Sequence, residues 1–208
     1  MFVQWCIKGV SGISDSEARR IIDDRQGLQC RWWRNVQTIR PDEIADKLTS
    51  ANLDLHVNHY SATDPATGGP FCDGTPFISL AAGSVERNTF LQTNIAHPAR
   101  MVALDFATAG GTTDGYLYVC YVIVGLRQAV GVASVAEEVR ELNTYRRYSP
   151  FQTEGEITAK IYVPANQIQR CEAYSIVRPG VVRPRPNWVQ ANPVFEDPIS
   201  ISNIRELF

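Results

Sequence analysis

The chain has 208 residues, 44% of them hydrophobic and 20% charged, with a formal net charge of −2. That length is enough for one globular domain with a full core, and the near-neutral balance argues against a general polyanion binder, leaving room only for a local basic patch. No apolar run approaches the ~20 residues of a membrane span, and the first residues lack the basic-then-apolar pattern of a signal peptide, so the expected setting is cytosolic. Cys6, Cys30, Cys72, Cys120 and Cys171 are odd in number and show no C-x-x-C spacing, which reads as reduced, mostly buried thiols.

Residues 2–10, FVQWCIKGV, are rich in aromatic and branched side chains and read as a first strand. Ser14 with Glu17 forms a capping box that opens a helix to about residue 25, and Gly27 ends it. Residues 1–27 carry no evident chemistry and read as a structural extension. Residues 28–36, LQCRWWRNV, read as a second strand, on which Arg31 and Arg34 would point to opposite faces. Pro41, followed by Asp42 and Glu43, starts a helix to about residue 51. Residues 53–60, LDLHVNHY, read as extended; His56 and His59 have no third ligand at metal spacing. One histidine is expected to pack and one to line a cleft, with His59 the cleft candidate.

Residues 61–74 form a loop dense in Gly, Pro and Asp, of a length that often carries function. It leads into a strand over residues 75–83 that bears Ser79. Residues 84–93 read as a short helix or loop. Residues 98–109 form a helix with Met101, Val102, Leu104 and Phe106 as core contacts, ended by Gly110-Gly111. Residues 116–126 are a buried strand by length and composition, and Val135, Val139 and Leu142 mark a short amphipathic helix. From Cys171 onward the chain is proline-rich, with Arg178, Arg183 and Arg185 making it locally basic. Residues 171–208 therefore read as an irregular tail wrapped over the domain, or as a partner-binding arm.

One stretch organises the rest: residues 148–168, YSPFQTEGEITAKIYVPANQI. Ser149-Pro150 is a turn signal, residues 157–163 are strand-forming, and Pro164 stops the run. On an extended strand Glu154 and Glu156 leave on the same face, about 7 Å apart. Gly155 between them admits another backbone or a ligand at close range. Paired carboxylates of this kind can stabilise a cationic centre while deprotonating a nucleophile.

Tyr148, Ser149, Pro150, Glu154, Glu156, Ile157, Thr158, Ala159, Pro164, Gln167 and Ile168 together resemble the catalytic region of the cholera-toxin and heat-labile-enterotoxin A subunits, which are arginine-specific mono-ADP-ribosyltransferases. Two other segments resemble the same family in the same chain order. WWRNVQTIRPDEI resembles its arginine strand, with Arg34 as the matching arginine and one residue more than the family's spacing. Phe77-Ile78-Ser79 resembles the opening of its Ser-Thr-Ser motif, but Leu80 and Ala81 stand where Thr and Ser would be.

The resemblance implies an α+β ADP-ribosyltransferase fold in a single domain over residues 1–208, with two packed, mainly antiparallel sheets and flanking helices around an NAD cleft. It implies NAD as substrate and no metal. By the same resemblance Arg34 holds NAD, Ser79 orients Glu156, Glu156 stabilises the oxocarbenium-like centre as nicotinamide leaves, and Glu154 activates the acceptor. Tyr148 and Phe151 lie in the segment that presents the protein substrate. The implied partner is a target protein with an acceptor arginine, with an activating or delivery partner possible, as for a toxin or effector acting in a recipient cytosol. Two alternatives stand beside this: transfer to a nucleic-acid base, a small molecule or water, and an NAD-binding or protein-interaction module without turnover. Keeping Arg34, Ser79 and both glutamates argues against the second.

Overall fold

The computed structural model of the chain describes residues 2–36, 41–65, 67–88, 92–125, 127, 129–139, 155–198 and 205–207. In chain order the elements are β1 (Phe2–Ser11), α1 (Asp15–Asp23), β2 (Leu28–Gln29), α2 (Arg31–Asn35), α3 (Pro41–Lys47), α4 (Ser50–Asn58), α5 (Phe71–Gly74), β3 (Phe77–Ala81), β4 (Ser84–Asn88) and β5 (Thr93–His97). Then come α6 (Ala99–Ala107), β6 (Gly115–Val124), β7 (Glu137–Glu138), β8 (Glu156–Lys160), β9 (Tyr162–Val163), β10 (Ile168–Arg178), β11 (Val181–Ala191) and β12 (Arg205–Leu207).

The N-terminal stretch is no extension. β1 is a central strand, paired antiparallel with β6 from Phe2–Val124 through to Ser11–Gly115. β6 is buried along almost its whole length, as its continuous apolar run requires of a strand covered on both faces. On one face α1, capped by Ser14 and Glu17 as expected, packs Ala18 and Ile22 into the main core with Tyr118 and Cys120. On the other face α6 packs Ala103 and Ala107 against Leu117. That helix lies very close. A Cβ on Gly9 would stand 2.1 Å from the Ala103 carbonyl oxygen, and one on Gly115 would stand 2.0 Å from that of Ala107. The buried contacts of α6 are therefore its alanines, with Val102 and Leu104 packed half-buried beside them as expected, whereas Met101 and Phe106, also expected inside, are 68% and 54% exposed. Small residues at the interface set the helix so near the sheet that bulky ones are left on the outer side.

The main sheet runs β11-β10-β6-β1-β3-β8-β7, with β12 pairing parallel to β1. All other pairings in it are antiparallel, giving the α+β, mainly antiparallel architecture the sequence implied. Its two halves join at a single described position, Ile7 opposite Ala81, and they open a cleft beyond it. Two small ladders, β2-β9 and β4-β5, complete the strands.

Several local readings change. Residues 28–36 give only a two-residue strand before α2, because Cys30 caps a helical turn: its Sγ accepts from Trp33 N–H at 3.3 Å. Residues 50–58 are helical, with Thr49 Oγ1 accepting from Asn52 N–H at 3.1 Å and Leu53, His56 and Val57 buried at helical spacing. The segment 53–60, expected as extended, is helical through Asn58 because the Thr49 cap starts the helix. Residues 84–88 and 93–97 pair antiparallel as β4 and β5, where a short helix or loop was expected. The segment expected as an amphipathic helix contains a bridge at Ala136 and then β7, and Leu142 lies outside the described residues. The proline-rich stretch after Cys171 is not an irregular tail. It forms the β10-β11 hairpin, with Pro184 and Pro186 on β11, the edge strand of the sheet, where proline is tolerated. Asp15 on α1 ties this hairpin down, accepting from Arg185 and, at 2.8 Å, from the Trp188 indole.

Candidate active site

The site is built where β3 and β8 pair. Their register sets Ser79 opposite Thr158 and Ala81 opposite Glu156, so these four side chains share one face. Glu156 is buried. Its Oε1 accepts from the Thr158 hydroxyl at 3.1 Å and stands 3.6 Å from His56 Nε2. Ser79 also hydrogen-bonds this carboxylate. Burial alone would push the Glu156 pKa up, but hydrogen bonds from His56, Ser79 and Thr158 outweigh it and hold the carboxyl below its ordinary value. The result is an ionised carboxylate in a low-dielectric wall.

His56 is itself fixed from both sides. Nδ1 lies 2.9 Å from Thr75 Oγ1 and Nε2 lies 2.9 Å from Ser79 Oγ. Thr75 Oγ1 accepts from the Phe77 N–H at 3.3 Å. His59, by contrast, is exposed at the end of α4, so His56 is the cleft histidine. The helical period of α4, once its Thr49 cap is seen, is the signal that turns His56 inward.

Gly155 has φ +59, and a Cβ there would stand 2.3 Å from the Gly83 carbonyl oxygen. The close backbone approach expected at this glycine is therefore made by Gly83, and Gly155 C=O accepts from Ala82 N–H at 2.9 Å. The same left-handed φ removes the basis for placing both glutamates on one face by strand alternation, since the residue between them is not extended. Glu154, Tyr148 and Phe151 lie outside the described residues.

Glu156 looks into a cleft of about 800 Å³ whose wall includes Lys8, Arg31, Arg34, His56, Tyr60 and Ser79. Arg34 was expected on a strand, with Arg31 turned away. On α2 the two are three residues apart on one helical face, so both line the cleft. Arg31 Nη1 donates to Asp73 Oδ1 at 3.1 Å, and Arg34 is exposed on the same rim. The strand-borne cation is one the sequence reading passed over: Lys8, on β1. Burial pushes its ammonium down to about 8, with Glu156 opposing the shift and Arg31 and Arg34 adding to it. A lone lysine in an otherwise apolar central strand was the available signal. The two hydroxyls missing at Leu80 and Ala81 are partly made good from the facing strand. Leu80 is core, while Thr158, two residues along β8 from Glu156 and opposite Ser79, delivers a hydroxyl to the carboxylate.

No family model and no curated protein matches the sequence. Among solved structures, EcPltA superposes with a TM-score of 0.52 at 13% identity, covering 94% of this chain and 89% of that one. The chain shares the fold of that protein. A heat-labile enterotoxin is similar at TM-score 0.47 and 14% identity, over 97% of this chain and 81% of that one. The catalytic domain of the mosquitocidal toxin from Bacillus sphaericus is similar at 0.42 and 14%, over 99% and 64% respectively.

Proposed function

We propose that the chain is a mono-ADP-ribosyltransferase that cleaves NAD and passes ADP-ribose to an arginine of a target protein. The observation that carries this reading is Glu156: a carboxylate held ionised by Ser79, His56 and Thr158 at the wall of a cleft lined by cations. An ionised carboxylate fixed in a poorly solvated wall can accept from a ribose hydroxyl and stabilise positive charge developing on the anomeric carbon as nicotinamide leaves. Arg34, with Arg31 beside it, supplies charge and directed donors for the pyrophosphate. Glu154 is assigned the second task. A guanidinium has a pKa above ~12, so its attack needs a carboxylate within hydrogen-bond reach. Tyr148 and Phe151 are assigned to holding the target protein, and a toxin or effector role in a recipient cytosol fits this chemistry.

The test is incubation with labelled NAD and agmatine, a free guanidino acceptor. The parent should label agmatine; Glu156→Gln should lose both transfer and NAD hydrolysis; Glu154→Gln should lose transfer while keeping much of the hydrolysis. Hydrolysis without agmatine labelling would replace arginine transfer with another acceptor or water. Equal loss of both activities in the two variants would sink the division of roles.

A further inference from the structure

We propose that Lys8 is a covalent modification site, an amine inside the cleft that condenses with the aldehyde of a ring-opened phosphorylated or pyrophosphate-linked ribose. The choice of ligand class rests on the cleft reading above; the reactivity of the amine does not.

Lys8 is half-buried on β1 and lines the cleft together with Glu156, Arg31 and Arg34. Among the described residues its Nζ has no hydrogen-bond or ion-pair partner, unlike Lys160, whose ammonium donates to Glu137 Oε1 at 2.7 Å and to the Val132 carbonyl at 3.1 Å. The titratable and charged groups around Lys8 come from several elements: Glu156 on β8, Arg31 and Arg34 on α2, the Cys120 thiol on β6, with Glu17 and Arg20 of α1 and His56 of α4 also lining the cleft. Burial dominates, and the ammonium loses its proton near pH 8. The share of neutral amine at pH 7 is then well above that of an ordinary lysine.

The chemistry balances without a co-reactant. The Nζ lone pair attacks the aldehyde carbon, forming the C–N bond, and a proton moves from nitrogen to the former carbonyl oxygen. That oxygen leaves as water with the remaining amine proton, giving the imine. The arginines favour an aldehyde that carries phosphate.

The chain's lysines are Lys8, Lys47 and Lys160, which makes the readout clean. Lys160 is buried in its ion pair, and Lys47 ends α3, half-buried like Lys8 but outside the cleft lining. The folded protein is incubated with pyridoxal 5′-phosphate, and separately with ADP-ribose, at pH values from 6 to 9. It is then reduced with cyanoborohydride and mapped by peptide mass spectrometry. Lys8 should be labelled at least about tenfold faster than Lys47 at pH 7, with a rate that rises to a plateau above about pH 8. Inorganic phosphate should slow Lys8 but not Lys47. Lys8→Arg, which keeps the charge, should abolish the fast phase. Labelling of Lys47 as fast as Lys8, or a Lys8 that stays unmodified while Lys47 reacts, would overturn the proposal. Neither probe needs NAD cleavage, so a protein that cleaves NAD but is not labelled refutes this inference alone, and one that is labelled but does not cleave NAD refutes the transferase reading alone.

Discussion

Thr158→Val is the sharpest test of how Glu156 is kept ionised. Valine keeps the shape of a fully buried strand residue and leaves its pairing with Ser79 and Glu137 intact. What it removes is one hydroxyl, 3.1 Å from Glu156 Oε1. A hydrogen bond to a charged group is worth about 1.5–3 kcal/mol, and one pKa unit is about 1.4 kcal/mol, so the loss should raise the Glu156 pKa by about one to two units. Since His56 and Ser79 remain, the lower end is expected. The sign follows from the direction of the native shift. A carboxyl held below its ordinary value is active above that pKa and loses activity as the pH falls through it, so the variant should fail at higher pH than the parent. NAD cleavage measured from pH 4 to 8 should show an acidic midpoint about one unit higher, with the rate at pH 7.5 within about threefold of the parent. Thr158→Ser should restore the parent's midpoint. An unmoved midpoint, or a collapse at pH 7.5 as deep as that of Glu156→Gln, would refute the idea that Thr158 acts by stabilising the carboxylate.

Other perturbations test the scaffold. Gly155→Ala should cost about 1–3 kcal/mol in urea unfolding, because φ is +59 and the new Cβ would meet the Gly83 carbonyl; Gly131→Ala, with nothing within 4 Å, should stay within about 0.5 kcal/mol. Lys160→Met leaves the Glu137 carboxylate buried without its cation and should destabilise by about 3–5 kcal/mol, while Lys160→Met with Glu137→Leu should recover much of that loss. Asp15 is held down to about 2 by hydrogen bonds from Arg185 and Tyr116. Its contribution should be present above the ordinary carboxylate pKa and lost as the pH falls through about 2. Asp15→Asn should therefore be less stable than the parent at pH 6 and converge with it by pH 2 in thermal unfolding.

The residues that determine chemistry locally were legible in the sequence. The capping box at Ser14 and Glu17 needs only adjacent residues, and it forms as written. Gly155 announces a close approach because only glycine tolerates it, and Ser79 and Glu156 sit at their strand positions because β3 and β8 are short runs with clear limits. What no local pattern contained was which side chains meet. Lys8 lies nearly 150 positions from Glu156, and only the pairing of β1 with β3 brings their strands to one cleft. Alternating apolar residues in 53–57 suit a strand or one face of a helix, and the Thr49 cap with packing behind it decided for the helix, turning His56 inward and His59 out. Arg31 and Arg34 share the cleft because their backbone is helical, not extended. Proline and arginine after Cys171 look like a tail by composition, yet edge-strand pairing and the Asp15 anchor hold them as a hairpin. Spacing marked the acid, its glycine and the hydroxyl two residues beyond it, and the family resemblance marked the serine; tertiary packing decided the histidine and the lysine, because those depend on contacts between elements that the linear order keeps far apart.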